Sequence, residues 1–104
     1  MSEKSSKGTT AIMDNMTNRT ISQIYADVLS VAKDTDRDGI AITSLCRKSN
    51  LSYIRLKGFI ENLTDAGCIN VKFGKNYVIT PKGIIYLDEY KRFVELAEGY
   101  GLEI

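Results

Sequence analysis

Residues 42–69, ITSLCRKSNLSYIRLKGFIENLTDAGCI, decide how the rest of this chain is read. They divide into two helical stretches joined by a polar corner, with a Gly-led exit toward a strand. Thr43 is placed to cap a short helix carrying Leu45 and Cys46, Ser49 and Asn50 interrupt the periodicity, and Ser52 is placed to cap a second helix. In that second helix Leu56, Phe59, Ile60 and Leu63 recur at steps of three and four, so they share one face, and that face is buried. Tyr53, Arg55, Lys57 and, further on, Glu61 fall on the opposite side. Two helices meeting at a tight polar corner form a helix-turn-helix pattern.

A helix that is apolar behind and basic-aromatic near its N-terminus has the form needed to enter a DNA major groove while docked on its own domain. The second helix is therefore read as a recognition helix. Net charge is only +1 over 104 residues, so this reading rests on where the charges lie. Between Thr43 and Asn76 six basic residues (Arg47, Lys48, Arg55, Lys57, Lys72, Lys75) stand against two acidic ones (Glu61, Asp65), a local +4. From Ile84 onward two basic residues (Lys91, Arg92) stand against five acidic ones (Asp88, Glu89, Glu95, Glu98, Glu103), a local −3. One face thus suits an anionic partner and another is kept away from it.

The length fits one domain with tails, and a hydrophobic fraction of 43% fits a folded core. No run approaches the roughly 18 apolar residues of a membrane span, and the opening MSEKSSKGTT has no apolar signal segment, so a cytoplasmic protein with no membrane partner is expected. Cys46 and Cys68 occupy apolar positions and the chain has no histidine, which favours buried free thiols over a structural zinc site. No metal or cofactor is expected. An enzyme is disfavoured, because an isolated Ser or Cys without a neighbouring base has no means of activation and no Gly-rich phosphate loop is present.

Along the chain, residues 1–18 are rich in Ser, Thr, Lys and Asn and are expected to form a disordered arm. From Thr20 the pattern turns helical, with Ile21, Ile24, Tyr25, Val28, Leu29 and Ala32 on one stripe. The run from Asp34 to Gly39 ends that helix. Its acidic spacing invites comparison with a calcium loop, but the twelfth position counted from Asp34 is Leu45, where such a loop needs a glutamate. A solvated turn is the better reading. Ile40-Ala41-Ile42 reads as a short strand, Cys68 to Phe73 as a half-buried strand, Gly74-Lys75-Asn76 as a turn, and Tyr77 to Thr80 as the returning strand. Thr80 and Pro81 open a final helix to about Glu98, stopped by Gly99 and Gly101. That helix is apolar on two flanks, Ile84, Leu87 and Val94 on one and Tyr86, Tyr90, Phe93 and Ala97 on the other, which is one flank more than a domain of this size needs. The surplus is expected to be buried against a second copy of the chain, with Ile84, Tyr86, Leu87, Tyr90, Phe93, Val94 and Ala97 at the interface.

The order of elements, an α+β and mostly helical arrangement with a two-stranded wing, resembles the small archaeal winged-helix DNA-binding proteins of the Sso-ten-a type, which dimerise through the C-terminal helix. SNLSYIRLKGFIENLTDAGCI, the wing VKFGKNYVIT and the following PKGIIYLDEY carry the resemblance, which covers about Ile21 to Val94. The C-terminal helix is shorter here than the long coiled coil of the type member. The resemblance implies a winged helix-turn-helix domain over residues 19–80, a dimerisation helix over 81–98 and a tail over 99–104. It implies that Ser52, Tyr53, Arg55 and Lys57 face the major groove, that Arg47 and Lys48 meet phosphates, and that Lys72, Lys75 and Asn76 reach the backbone or minor groove from the wing. Tyr77 is read as wing core. The expected function is duplex-DNA binding as a homodimer, in transcription regulation or nucleoid organisation. The competing expectation is a winged helix used for protein contact within a larger assembly.

Overall fold

The computed structural model describes residues 19–102. The disordered arm expected for residues 1–18 lies outside them. The elements run α1 (Ile21–Lys33), β1 (Ile40–Ala41), α2 (Ile42–Ser49), α3 (Tyr53–Asp65), β2 (Ile69–Lys72), β3 (Asn76–Ile79) and α4 (Pro81–Gly99). The three strands form one antiparallel sheet in the order β1-β3-β2, with Ile40 opposite Tyr77 and Val71 opposite Tyr77 on the other side.

The local signals explain most of the boundaries. Thr20 accepts from the Gln23 N–H at the start of α1, Ser52 from Arg55 N–H at the start of α3, and Thr80 from Gly83 N–H at the start of α4, each satisfying a donor the helix itself leaves orphaned. Pro81 occupies the first turn of α4, where its missing N–H loses nothing. Thr43 does not cap α2. The helix starts at Ile42, directly out of β1, and Ala41, held extended by its pairing with β3, occupies the cap position with no side-chain oxygen to offer. Ile42 is consequently helical rather than the third residue of a strand.

The core is a single cluster to which every layer contributes: Ile24, Val28 and Leu29 from α1, Ile40 from β1, Leu45 from α2, Leu56, Ile60 and Leu63 from α3, Ile69 from β2 and Leu87 from α4. At about 1.5–3 kcal/mol for each large apolar side chain taken fully from water, this cluster is the main force holding the helices to the sheet. Ile21 departs from the expected stripe and is exposed. Periodicity sets which face of α1 is apolar, but packing neighbours decide how far along that face burial extends. Cys46 is half-buried and Cys68 buried, both as free thiols.

Candidate nucleic-acid interface

The corner between α2 and α3 is built on backbone geometry. Asn50 sits in the left-handed conformation (φ 64°, ψ 43°), which asparagine tolerates better than most residues. Leu51 N–H reaches back to the Cys46 carbonyl at 3.0 Å, and the Leu51 side chain is buried. Ser49 Oγ donates to the Leu45 carbonyl one turn back. The corner is also clamped from behind by Arg19. One of its nitrogens lies 2.8 Å from the Asp27 carboxylate and 3.0 Å from the Ser49 carbonyl, and the other donates to the Asn50 carbonyl at 3.2 Å. Sequence reasoning missed Arg19, because the two carbonyls it holds lie about thirty residues downstream and no local pattern announces them.

α3 turns Leu56, Ile60 and Leu63 into the core and leaves Ser52, Tyr53, Ile54, Arg55, Lys57 and Gly58 exposed. The two cations of this front are paired along the helix. The Arg55 guanidinium lies 5.9 Å from the centre of the Phe59 ring, and the Lys57 ammonium 5.8 Å from that of Tyr53. Such contacts restrain long side chains and keep their charge at the surface. Phe59 is itself fixed by an edge-on contact with Tyr25 of α1, at 5.3 Å between ring centres. Arg47 and Lys48 lie exposed in the last turn of α2, where a cation is also favoured by the helix dipole.

The hairpin departs from its expected form at the tip. Phe73 is a turn residue rather than the end of a strand. With φ +57° at Phe73 and +70° at Gly74, the Lys75 N–H closes the turn on the Lys72 carbonyl at 3.2 Å. Positive φ at both central positions is the signature of turns that match strand twist, but a bulky residue there is strained. Phe73 is also 66% exposed. Of the three wing residues read as DNA contacts, Lys75 is exposed, whereas the Lys72 ammonium donates to the Arg37 carbonyl at 2.8 Å and the Asn76 amide to the Asp38 carbonyl at 3.0 Å. Those two side chains hold the Asp34–Gly39 loop against the wing. The loop in turn uses Asp36 to accept the Asp38 N–H, an Asx turn that accounts for one of its carboxylates. Tyr77 is half-buried and packs against the core, as read from the sequence.

A family model described as winged helix-turn-helix matches residues 18–98. The chain belongs to the winged helix-turn-helix family. No curated protein matches it. Among solved structures it is similar to Sso10a-2, a DNA-binding protein from Sulfolobus solfataricus, with a TM-score of 0.66 and 21% identity over 79% of this chain and 85% of that one. At that identity the likeness is one of fold, and it agrees with the small archaeal winged-helix type that the sequence resembles.

In this winged helix-turn-helix chain, α4 divides differently from the sequence reading. Leu87 and Ala97 are buried, and Tyr86 and Tyr90, stacked at 6.4 Å with rings nearly parallel, pack partly buried against the chain's own core. Tyr86 donates to the Ser22 carbonyl of α1 at 3.3 Å, and burial raises its pKa above the ordinary phenol value. Ile84 and Val94 are half-buried. Of the residues assigned to a dimer face only Phe93 stands well out of its own subunit; Leu96 one turn on and Ile85 two turns back, 56% and 62% exposed, are further exposed residues that the sequence reading left out. No helix among the described residues is long and apolar enough to cross a membrane.

Proposed function

We propose that the chain binds duplex DNA as a homodimer, with the front of α3 in the major groove and the wing tip on the backbone. The observation that carries this reading is the front of α3: cations steadied over aromatic rings, on a helix whose opposite face is locked into the core. Membership of the winged helix-turn-helix family and likeness to a DNA-binding protein support it. Tyr53 and Arg55 are the candidates for reading base edges, since an arginine in the first turns of such a helix can pair bidentately with guanine. Ser52 and Lys57 flank them. Arg47, Lys48 and Lys75 are assigned to phosphates, while Lys72 and Asn76 act through the loop they hold. A role in regulating transcription or organising the nucleoid follows from such binding.

The dimer is assigned to the outward side of α4, where Phe93 and Leu96, one turn apart, and Ile85 nearer the helix start each expose apolar surface that water disfavours. Its two-fold axis would set the recognition helices roughly 34 Å apart, or a multiple of that, to read successive grooves. The near-neutral net charge of +1 favours the rival reading, a protein-contact module. Titration of a mixed-sequence duplex at several salt concentrations separates the two. DNA binding predicts a log–log salt slope that falls by about one unit for each of Arg47→Ala and Lys75→Ala, and no retardation at about 50 mM salt excludes it. Sedimentation of wild type and Phe93→Asp tests the dimer: a single-chain mass for both at tens of micromolar rules out this interface.

A further inference from the structure

The outermost line of α3 is neither basic nor explained by the fold. Ile54, Gly58, Glu61 and Asp65 recur at steps of four, three and four, directly opposite the buried line of Leu56, Ile60 and Leu63. Ile54 is 83% exposed, more than any other large apolar side chain among the described residues. It stands between the Tyr53–Lys57 pair on one side and the Arg55–Phe59 pair on the other, so the neighbouring cations lean away along the helix and leave its apolar surface bare. One turn further on, Gly58 interrupts the middle of the helix. A Cβ built there meets no atom of the described residues within 4 Å, and its φ is not positive, so neither space nor backbone conformation among them calls for glycine. Yet glycine is the poorest helix former after proline. A bare apolar side chain followed by a missing one describes a surface meant to come close to something flat and locally apolar, flanked by negative charge that Arg55 and Lys57 can meet.

We propose that this line reads thymine: Ile54 packs on the 5-methyl group of a thymine exposed in the major groove, and Gly58 lets the helix backbone approach the base edges where a side chain would hold it off. The inference rests on the DNA-binding reading above and names the base that the centre of the recognition helix selects. Major-groove recognition of thymine is by apolar contact with that methyl, which no other base of unmodified DNA presents. The acidic residues Glu61 and Asp65 bound the contact, because a carboxylate carried further along the same line repels phosphate. The contact therefore spans the first two turns of α3, with Arg55 at the neighbouring base edge on one side and Lys57 toward the groove wall on the other.

The test uses the full chain and a duplex recovered by selection from a randomised pool. The duplex is prepared once with thymine and once with every thymine replaced by deoxyuridine, which removes only the methyl groups. Wild type should bind the deoxyuridine duplex about fourfold more weakly for each contacted methyl, and Ile54→Ala should bind both duplexes alike. Equal binding of the two duplexes by wild type, or a full thymine preference retained in Ile54→Ala, overturns the assignment of Ile54. Gly58→Ala should melt roughly 4–8 °C higher than wild type and bind the selected duplex roughly tenfold more weakly. A Gly58→Ala variant that is more stable and binds equally well overturns the close-approach role. Failure of any duplex to bind at about 50 mM salt overturns the DNA reading and this inference together, whereas binding indifferent to the methyl groups overturns this inference alone.

Discussion

Two helices of this protein carry a glycine inside them, and the reasons differ. At Gly83, in the first turn of α4, an added Cβ would run into the Cys68 carbonyl oxygen and come within 2.8 Å of Ile79 Cγ1. The same Cys68 carbonyl accepts the Thr80 N–H at 3.0 Å, so it cannot swing aside without breaking the junction between β3 and α4. Gly83 is therefore demanded from within. Gly58, in the exposed front of α3, meets nothing among the described residues. A residue that weakens a helix without an internal reason points to a partner. The contrast separates positions at which the sequence serves the fold from those at which it serves what the fold binds.

Gly83→Ala should break the first half of this contrast most forcefully. The clash involves backbone that other hydrogen bonds hold, so we expect a loss of roughly 2–3 kcal/mol, read as a lower urea midpoint at unchanged m. A variant as stable as wild type would mean that α4 can slide on the sheet, and the glycine would then need another explanation. Next in size is Arg19→Ala. It removes the clamp on the Ser49 and Asn50 carbonyls, and because these groups are partly exposed the expected loss is about 1–2 kcal/mol. Faster amide exchange at the corner than in the rest of α3 would locate the effect. Gly58→Ala should move stability the other way, a gain of about 1 kcal/mol from helix propensity alone. A loss there would reveal a neighbour that Gly58 accommodates, and the two glycines would then be alike.

The parts of the molecule that were legible from sequence are those governed by neighbours in the chain. Ser52 and Thr80 mark helix starts through bonds to N–H groups three residues on, Pro81 does so through its fixed backbone, and Leu56, Ile60 and Leu63 are buried as their spacing demands. What was not legible depends on contacts made across the fold. Thr43 lost the capping position to Ala41 because a strand pairing to Asn76 fixes where α2 begins. Lys72 and Asn76 look like free wing residues until the loop at Arg37 and Asp38 folds onto them. Phe73 carries no turn signal, and only Gly74 beside it does. The candidate site shows the same division. Arg55 and Lys57 were visible as basic residues near a helix start, but Ile54 and Gly58 acquire meaning only once the structure shows that none of the described residues covers them.

The smallest expected effect bears on how α4 is seated beyond Gly83. Tyr86, one turn further along, lies partly buried against the core with its hydroxyl on the Ser22 carbonyl of α1, and burial raises its pKa above 10.0. The folded state therefore holds the phenol proton more tightly than the unfolded chain does. By linkage this contribution to stability is complete below the unfolded pKa of about 10 and is lost as pH rises from there through the raised folded value. With six tyrosines in the chain, the slope of wild type alone is ambiguous, so the comparison is with Tyr86→Phe. Urea unfolding at pH of about 8 and about 11 should show wild type losing more stability over that interval than the variant does, by a modest amount because the ring is only partly withdrawn from water. Equal losses would mean that the ring leaves α1 readily. In that case the tight seating inferred at Gly83 ends within the first turn, and the inward flank of α4 would be free to join Ile85, Phe93 and Leu96 in facing a second subunit.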